Sequence, residues 1–237
     1  MIASRIMDIE VRRDDNKRDI KSYVLRSNTL DDKDKEILEK YGENHLLFFD
    51  DIDKIDSSSV FSNSNPLVME IGFGMGDSTL KIAMMNESVN YIALDVYLDG
   101  VIKLLKNTAE YDVKNLKIMR FNAVDVLNYK VSDDSVDGFH IFFPDPWMKK
   151  RHHKRRLMNP SFIELLAKKL KKGGYIYFVS DWEEYADEVL DLMSRNESLV
   201  NPYAGFAPPV KWRPSTKFEK KGLEKDHVIK EIWFEKK

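Results

Sequence analysis

The chain has no cysteine, and this absence excludes disulfide bonds, thiolate zinc sites and cysteine nucleophiles. It has almost no excess charge, since 38 Lys and Arg residues face 40 Asp and Glu residues, so nucleic-acid binding would need a local basic patch. No apolar run approaches the ~18 residues of a membrane-spanning helix, and the N-terminal stretch lacks the apolar segment of a signal peptide. We therefore expect a cytoplasmic protein without a membrane segment.

The 237 residues are enough for one sizeable domain with an appendage. Residues 1–65 show little alternation of strands and helices and are predicted to form an N-terminal extension. It contains a short helix, which is expected to begin at Thr29 or Asp31 and to end at Gly42, and then a polar linker. Residues 66–237 are predicted to form the main, Rossmann-like domain.

From Pro66 onward, predicted strands alternate with predicted helices. Apolar runs indicate strands at 66–73, 90–96, 115–123, 136–143 and 174–181, and the alternating segment 227–236 indicates a last, antiparallel strand. This order predicts an α/β fold with a mostly parallel, doubly wound sheet and an antiparallel last strand. Ligands of such sheets bind at the carboxyl ends of the strands, so we expect the functional residues along one rim.

The first predicted strand ends in a glycine-rich loop with the pattern E-x-G-x-G-x-G, formed by Glu70, Gly72, Gly74 and Gly76. The nicotinamide fingerprint G-x-G-x-x-G would need its third glycine at Asp77, so the spacing does not fit it. An acid in the strand and closely spaced glycines instead fit S-adenosylmethionine, whose sulfonium and amino groups are cationic. The alternative is that the glycines only make a tight turn.

Two polar residues follow the next strands. Asp95 ends the second strand, where a carboxylate can accept hydrogen bonds from both ribose hydroxyls, although it could also cap the next helix. Asn122 follows the third strand and could bond the adenine edge or act as a turn former. Both positions extend the predicted cofactor site.

After the fourth strand, "FFPDPWMKKRHHKRR" places Asp145 between two prolines, which disfavour helix and hold the carboxylate in a rigid loop. Trp147 offers a ring for stacking a base, or it covers the edge of the core. The block 149–156 then holds six Lys or Arg and two His residues, which is typical of a phosphate-binding surface. A charge run alone is usually a solvated face, but its position beside Asp145 favours an RNA substrate.

Asp181 follows the fifth strand, where it could cap the next helix or accept the N1–H and amine of a guanine. The polar stretch 213–222 is predicted to be a loop that closes over substrate or an ordinary exposed turn. No cluster of carboxylates and histidines at ligand spacing accompanies the histidine pair, so we expect no metal.

Together, "MEIGFGMG", "FFPDPWMKKRHHKRR", "VSDWEEYA" and "STKFEKKG" resemble the bacterial tRNA (guanine-N7)-methyltransferase family over about residues 20–235. The resemblance implies a Rossmann-like S-adenosylmethionine-dependent methyltransferase that modifies N7 of the variable-loop guanine, position 46, of tRNA. It implies a cofactor site at Glu70, Gly72, Gly74, Gly76, Asp95, Asn122 and Asp145, and catalytic roles for Asp145 and Asp181. It implies substrate binding by Lys149, Arg151, His152, His153, Lys154, Arg155, Arg156, Asp181, Thr216, Lys217, Phe218 and Glu219.

The chain departs from the family pattern at two positions. The family often has Glu where this chain has Asp95, and it often has Asp where this chain has Asn122. Other functions remain open from the residues: a nicotinamide-dependent oxidoreductase, a non-catalytic RNA-binding module, or the same chemistry on another substrate. The sequence leaves both a monomer and a homodimer open.

Overall fold

The computed structural model describes residues 2–11, 20–25, 29–215, 219 and 228–237. Its helices are α1 (Ile2–Arg5), α2 (Asp32–His45), α3 (Ser57–Phe61), α4 (Asp77–Met85), α5 (Leu98–Glu110), α6 (Ala123–Tyr129), α7 (Pro160–Lys169) and α8 (Glu183–Ser194). Its strands are β1 (Leu67–Ile71), β2 (Asn90–Asp95), β3 (Leu116–Arg120), β4 (Val136–Phe142), β5 (Leu170–Ser180), β6 (Leu199–Val200) and β7 (Lys230–Lys236). Short 3₁₀ helices lie at Phe49–Asp51 and Lys150–Arg155.

Among the described residues, seven strands form one mostly parallel sheet in the order β3-β2-β1-β4-β5-β7-β6. Strand β7 runs antiparallel to β5, with Tyr177 opposite Trp233. The predicted α/β class, the parallel strands and the antiparallel last strand are therefore confirmed. The sequence did not predict the two-residue strand β6, which pairs antiparallel with β7.

Contacts divide the described residues into two compact units. The first unit comprises described residues of the ranges 2–11 and 25–132 and contains β1, β2 and β3, which pair in parallel. All five residues of β1 are buried, as expected for a central strand covered on both faces. Helix α5 buries Val101, Leu104 and Leu105 in this unit.

The second unit comprises described residues of the ranges 20–24 and 133–237. Strand β4 pairs in parallel with β5, and β5 pairs with β7. Phe139, Tyr177 and Phe178 are fully buried there, and helices α7 and α8 contribute Leu166 and Val189 to the core. These contact-based units divide the chain at other residues. The predicted domain boundary at residue 65 stays a prediction.

Helix α2 begins as the sequence predicts. Asp31 is its N-cap and forms a capping box with Asp34, which satisfies two free backbone N–H groups. The predicted end at Gly42 is wrong, because the helix continues to His45. A methyl group built on Gly42 would lie 3.0 Å from the Ile2 side chain, so this glycine allows α1 to pack closely and does not end the helix.

Three other local features differ from the prediction. The polar linker contains α3, whose first turn is capped by the Asp56 side chain bonded to Ser59 N–H. Asn122 caps the unpredicted helix α6. Gly173 and Gly174, a pair that typically ends a helix, lie within β5, where Gly173 has a φ of 78° next to an irregularity in the β4–β5 register.

In the part of the chain that the structure describes, no helix combines the length and apolar character needed to cross a bilayer.

Candidate functional site

The loop after β1 has the backbone geometry that its glycines predict. Gly72, Gly74 and Gly76 have φ values of 80°, 60° and 73°, a region that side chains with a Cβ rarely adopt. Space is open beside Gly72 and Gly74, because a methyl group built on either would have no atom within 4 Å. At Gly76 the same group would meet Leu104 at 2.8 Å. The first two glycines thus leave room for a ligand, and the third allows α5 to pack.

A glycine that the sequence analysis missed completes this loop. A methyl group built on Gly100, in the first turn of α5, would lie 1.8 Å from the carbonyl oxygen of Gly74. Only a residue without a side chain fits so close to the loop backbone. The signal in the sequence was a glycine inside a segment with helical periodicity, where glycine is otherwise unfavourable.

Asp95 lies at the end of β2 and contacts this loop directly. One carboxylate oxygen accepts from the N–H of Gly74 at 2.7 Å, and the other accepts from the N–H groups of Val96 and Tyr97 at 2.7 and 2.9 Å. Burial raises the pKa of the Asp95 carboxyl, while these hydrogen bonds act in the opposite direction. The carboxylate is therefore fixed in position, and its oxygens keep acceptor capacity for ribose hydroxyls.

Glu70 in β1 is 3% exposed. Its Oε2 atom is buried and has no hydrogen-bond partner among the described residues. Burial raises the pKa of the Glu70 carboxyl to about 8; the neighbouring Thr79 hydroxyl acts against this rise, and the charge of Asp95 adds to it. A buried acceptor without a partner is costly, so this atom fits a ligand that brings a donor or a positive charge.

Asn122 holds the N-terminus of α6. Its side-chain oxygen accepts from Val124 N–H at 2.9 Å, which is the turn-forming role considered from the sequence. Its own N–H donates to the carbonyl of Ile9 at 2.6 Å. Contact with adenine stays a prediction for this residue.

Asp145 lies in the second unit, in an exposed position on the loop after β4. Phe143 and Trp147 flank it with φ values of 51° and 47°, unusual for residues that carry large side chains. The N–H of Phe143 donates to the carbonyl of Val179 in β5 at 2.8 Å, so the start of the loop is tied to the sheet. Both the catalytic role and the cofactor contact of Asp145 stay predictions.

Some side chains of the basic block 149–156 are exposed, and others contact groups of the protein. Four cations are exposed: Lys149, Lys150, Arg151 and Lys154. His152 and His153 are half-buried, and the rings of His152 and Trp147 form an edge contact with centroids 6.0 Å apart. The exposed cations are the ones available to a phosphate backbone.

Arg155 binds protein groups. Its guanidinium lies 3.9 Å from the centre of the Trp147 ring and donates to the carbonyls of Lys21 and Tyr23 at 2.9 and 2.7 Å. The Trp147 indole N–H donates to the carbonyl of Ser22 at 3.2 Å. One face of Trp147 is thus covered by an arginine, which leaves at most the other face for a base.

Arg156 is 2% exposed and lies inside the protein. It donates to the carbonyl of Pro146 at 2.9 Å, forms an ion pair with Glu184 at 3.2 Å and contacts Glu188. A buried guanidinium with these partners holds the Asp145 loop from within. Arg156 is therefore not part of the exposed basic surface.

Asp181 is half-buried after β5. Trp182, and not Asp181, occupies the N-cap position of α8, and the Trp182 N–H donates to the Ser180 hydroxyl at 3.1 Å. The guanine-binding role of Asp181 stays a prediction.

The predicted substrate residues Thr216, Lys217 and Phe218 lie outside the described residues. Glu219 is described, and its carboxylate receives two hydrogen bonds from Arg213 at 2.8 and 2.9 Å. Arg213 also binds Glu231 at 2.8 Å and the Tyr177 hydroxyl at 2.9 Å. The sequence analysis missed Arg213, whose side chain is buried and links Glu219 to the sheet.

Over the described residues, no cluster of three or more side chains could hold a metal ion.

Comparison with known proteins gives a consistent result. Residues 64–232 match the family model Methyltransf_4, described as "Putative methyltransferase". The tRNA (guanine-N(7)-)-methyltransferase of Francisella philomiragia is 45% identical over 222 residues, which cover 94% of this chain and 97% of that protein. The protein of the same name from Dechloromonas aromatica is 43% identical and covers 92% of this chain and 88% of its own length.

Among solved structures, the 16S rRNA methyltransferase KamB superposes with a TM-score of 0.56 at 14% identity, over 78% of this chain and 96% of that chain. The 30S ribosomal A1408 methyltransferase from an uncultured bacterium gives 0.53, also at 14% identity, over 78% and 95%. These structures share the fold, and the sequence relatives determine the family. The chain belongs to the tRNA (guanine-N7)-methyltransferase family.

Proposed function

We propose that the chain transfers a methyl group from S-adenosylmethionine to N7 of a guanine in tRNA, at position 46 of the variable loop. Family membership supports the activity. The observation that carries the cofactor assignment is the buried Oε2 of Glu70, which has no partner among the described residues, close in sequence to a glycine loop with open space. A cationic ligand is the one that this arrangement favours.

The first unit is proposed to bind the cofactor through separate contacts. Asp95 accepts hydrogen bonds from the ribose hydroxyls, and Glu70 receives the positively charged amino-acid part. The backbone at Gly72 and Gly74 lies alongside the ligand, because neither residue has a side chain to exclude it. When bound, S-adenosylmethionine supplies an electrophilic methyl carbon on a sulfonium, and the electron pair of the broken S–C bond stays on sulfur.

The guanine needs no general base, because N7 already carries a free lone pair and no proton. Formation of the N7–C bond gives the purine ring a positive charge. Asp145 and Asp181 are proposed to hold the guanine and to stabilise this charge electrostatically. Their main contribution is orientation, since in-line attack on the methyl carbon depends on the position of N7.

The exposed cations of the basic block are proposed to bind the tRNA backbone. Lys149, Lys150, Arg151 and Lys154 present their charges to solvent within six residues of chain. Phosphate contacts of this kind supply affinity and orientation, and the base is selected elsewhere. Looped RNA bases can be displaced and stacked, so the face of Trp147 that Arg155 does not cover is the proposed contact for the target base or its neighbour.

The test is methyl transfer from labelled S-adenosylmethionine to an unmodified tRNA transcript, followed by mapping of the methylated base. Incorporation at guanine 46 is expected, and none into a transcript carrying adenine there. Asp145→Ala should abolish turnover and leave the melting temperature unchanged, with Asp187→Ala, an exposed acid of α8, as the matched control. A transcript that has guanine 46 yet gains no label would overturn the proposal, and near-normal turnover by Asp145→Ala would remove the role assigned to that residue.

A further inference from the structure

Residues 6–11 lie against the end of β3, and we name them the N-terminal strap. Ile6 and Ile9 of the strap are 2% and 8% exposed. Backbone hydrogen bonds hold the strap in place, with the N–H of Asn122 donating to Ile9 and the N–H of Val11 donating to the Asp125 carboxylate at 3.2 Å. The strap is therefore an integral part of the first unit.

Arg120, the last residue of β3, joins this strap to the end of β2. Its guanidinium is buried, and it donates to the carbonyl of Ile6 at 2.7 Å and to the carbonyl of Val96 at 3.0 Å. This Val96 carbonyl belongs to the Val96–Tyr97 peptide, whose N–H donates to Asp95 at 2.9 Å. Arg120 thus fixes the peptide that fixes Asp95.

The charge of Arg120 also acts on Asp95. Burial raises the pKa of the Asp95 carboxyl, and the nearby guanidinium of Arg120 is among the groups that lower it. Taking a guanidinium out of water is unfavourable, and an apolar side chain of similar size would fill the same space without that cost. A charged residue at this place is explained if it keeps Asp95 ionised and correctly directed.

We propose that Arg120 is a positioning residue for ribose recognition, acting through Val96 on Asp95. The proposal rests on the proposed function, because it takes Asp95 as the acceptor for the ribose hydroxyls. Its role is assigned through protein contacts alone, and its effect is to hold the carboxylate where both hydroxyls can donate to it.

The experiment compares two ligands by calorimetry: S-adenosylhomocysteine and its 2′,3′-dideoxy analogue. The wild-type chain should prefer the first by about tenfold to hundredfold, the value of one or two charge-assisted hydrogen bonds. Arg120→Met should reduce this preference about tenfold while changing the affinity for the dideoxy analogue less than about twofold. Arg120→Lys, which keeps the charge but lacks the planar donor pair, should restore part of it.

The controls separate positioning from general destabilisation. Arg195→Met removes an exposed arginine and should leave both affinities unchanged. In an Asp95→Asn background, Arg120→Met should cause no further loss of preference, because both changes act on one contact. If Arg120→Met does not fold, Arg120→Lys carries the same comparison, and failure of both to fold would assign Arg120 to stability and overturn the proposal.

The outcomes also separate this inference from the proposed function. A wild-type chain that binds neither ligand would contradict the cofactor assignment itself. A wild-type chain that prefers the ribose-bearing ligand, with the preference retained in the Arg120 variants, would refute only the role of Arg120. An equal loss of affinity for both ligands in the Arg120 variants would also refute the positioning role, since a merely structural role predicts that result.

Discussion

Glu70 makes a prediction about how cofactor binding depends on pH. Burial raises the pKa of its carboxyl to about 8, so in the free protein it is mostly protonated at neutral pH. The proposed ligand brings a positively charged amino group, which favours the ionised carboxylate. Binding should therefore release a proton from Glu70, and affinity should rise with pH until the free carboxyl is itself ionised.

The expected size follows from the two protonation equilibria. If ligand binding returns the pKa of the Glu70 carboxyl to its ordinary value of 4.5, the affinity increases about tenfold for each pH unit below about 8 and levels off above pH 8. Between pH 6 and pH 8 the association constant should rise about fiftyfold, and at pH 7 about 0.9 proton should be released per ligand bound.

Calorimetry with S-adenosylhomocysteine at pH 6, 7 and 8, in two buffers of different ionisation enthalpy, measures both quantities. Methylthioadenosine, which lacks the amino-acid part and its charged α-amino group, is the matched ligand control and should bind with nearly constant affinity. Glu70→Gln is the matched protein control, and it should bind more weakly and lose the pH dependence. A flat profile for the wild-type chain, or the same slope in Glu70→Gln, would refute the assignment of Glu70 to the amino-acid part.

As the pH rises, the stability of the free protein should fall, whereas its affinity for the ligand should increase. A carboxyl with a raised pKa in the folded state contributes stability that is fully present below its unfolded value of 4.5 and is lost as the pH rises through about 8. The full difference corresponds to about 5 kcal/mol as an upper limit. Glu70→Gln should therefore raise the free energy of unfolding at pH 8, measured by urea denaturation without ligand.

Three further changes test other parts of the structure. Lys150→Ala and Lys154→Ala should each weaken tRNA binding several-fold and lower the slope of log affinity against log salt by about 0.7–0.9, measured by filter binding. Arg156→Met should lower the free energy of unfolding in urea by about 2 kcal/mol, because it removes the donor to the Pro146 carbonyl and the ion pairs with Glu184 and Glu188; an unchanged midpoint would contradict its buried role. Gly76→Ala should cost about 2 kcal/mol through its positive φ and contact with Leu104, visible as a lower melting temperature.

The sheet could be predicted because its signals are local. Buried parallel strands read as short apolar runs, and glycines or polar residues mark their ends, as at Gly72 and Asp95. The end of α2 could not be predicted, because Gly42 normally stops a helix and here serves close packing on Ile2. That contact joins residues distant in sequence, so no local pattern contains it.

The residues of the candidate cofactor site could largely be proposed from the sequence. The residues that hold them in position could not. Glu70, Asp95 and the glycines lie in or directly after the carboxyl ends of strands, at positions set by the topology of the fold. Gly100 and Arg120 act through three-dimensional contacts with Gly74 and Val96. Their sequence neighbourhoods read as ordinary helix and strand.

The basic block shows why charge counting alone overstates an RNA surface. Lys154 and Arg156 are two residues apart and carry the same formal charge, yet one is exposed and the other is 2% exposed. Lysine is a strongly hydrated point charge, whereas the planar guanidinium can bond several carbonyl and carboxylate oxygens inside a protein. Arg155 and Arg156 use that property on Tyr23 and Pro146, so the block both braces the loop that carries Asp145 and presents its remaining cations to solvent. Loss of activity on substitution of these arginines would therefore report the position of Asp145 as well as any contact with RNA.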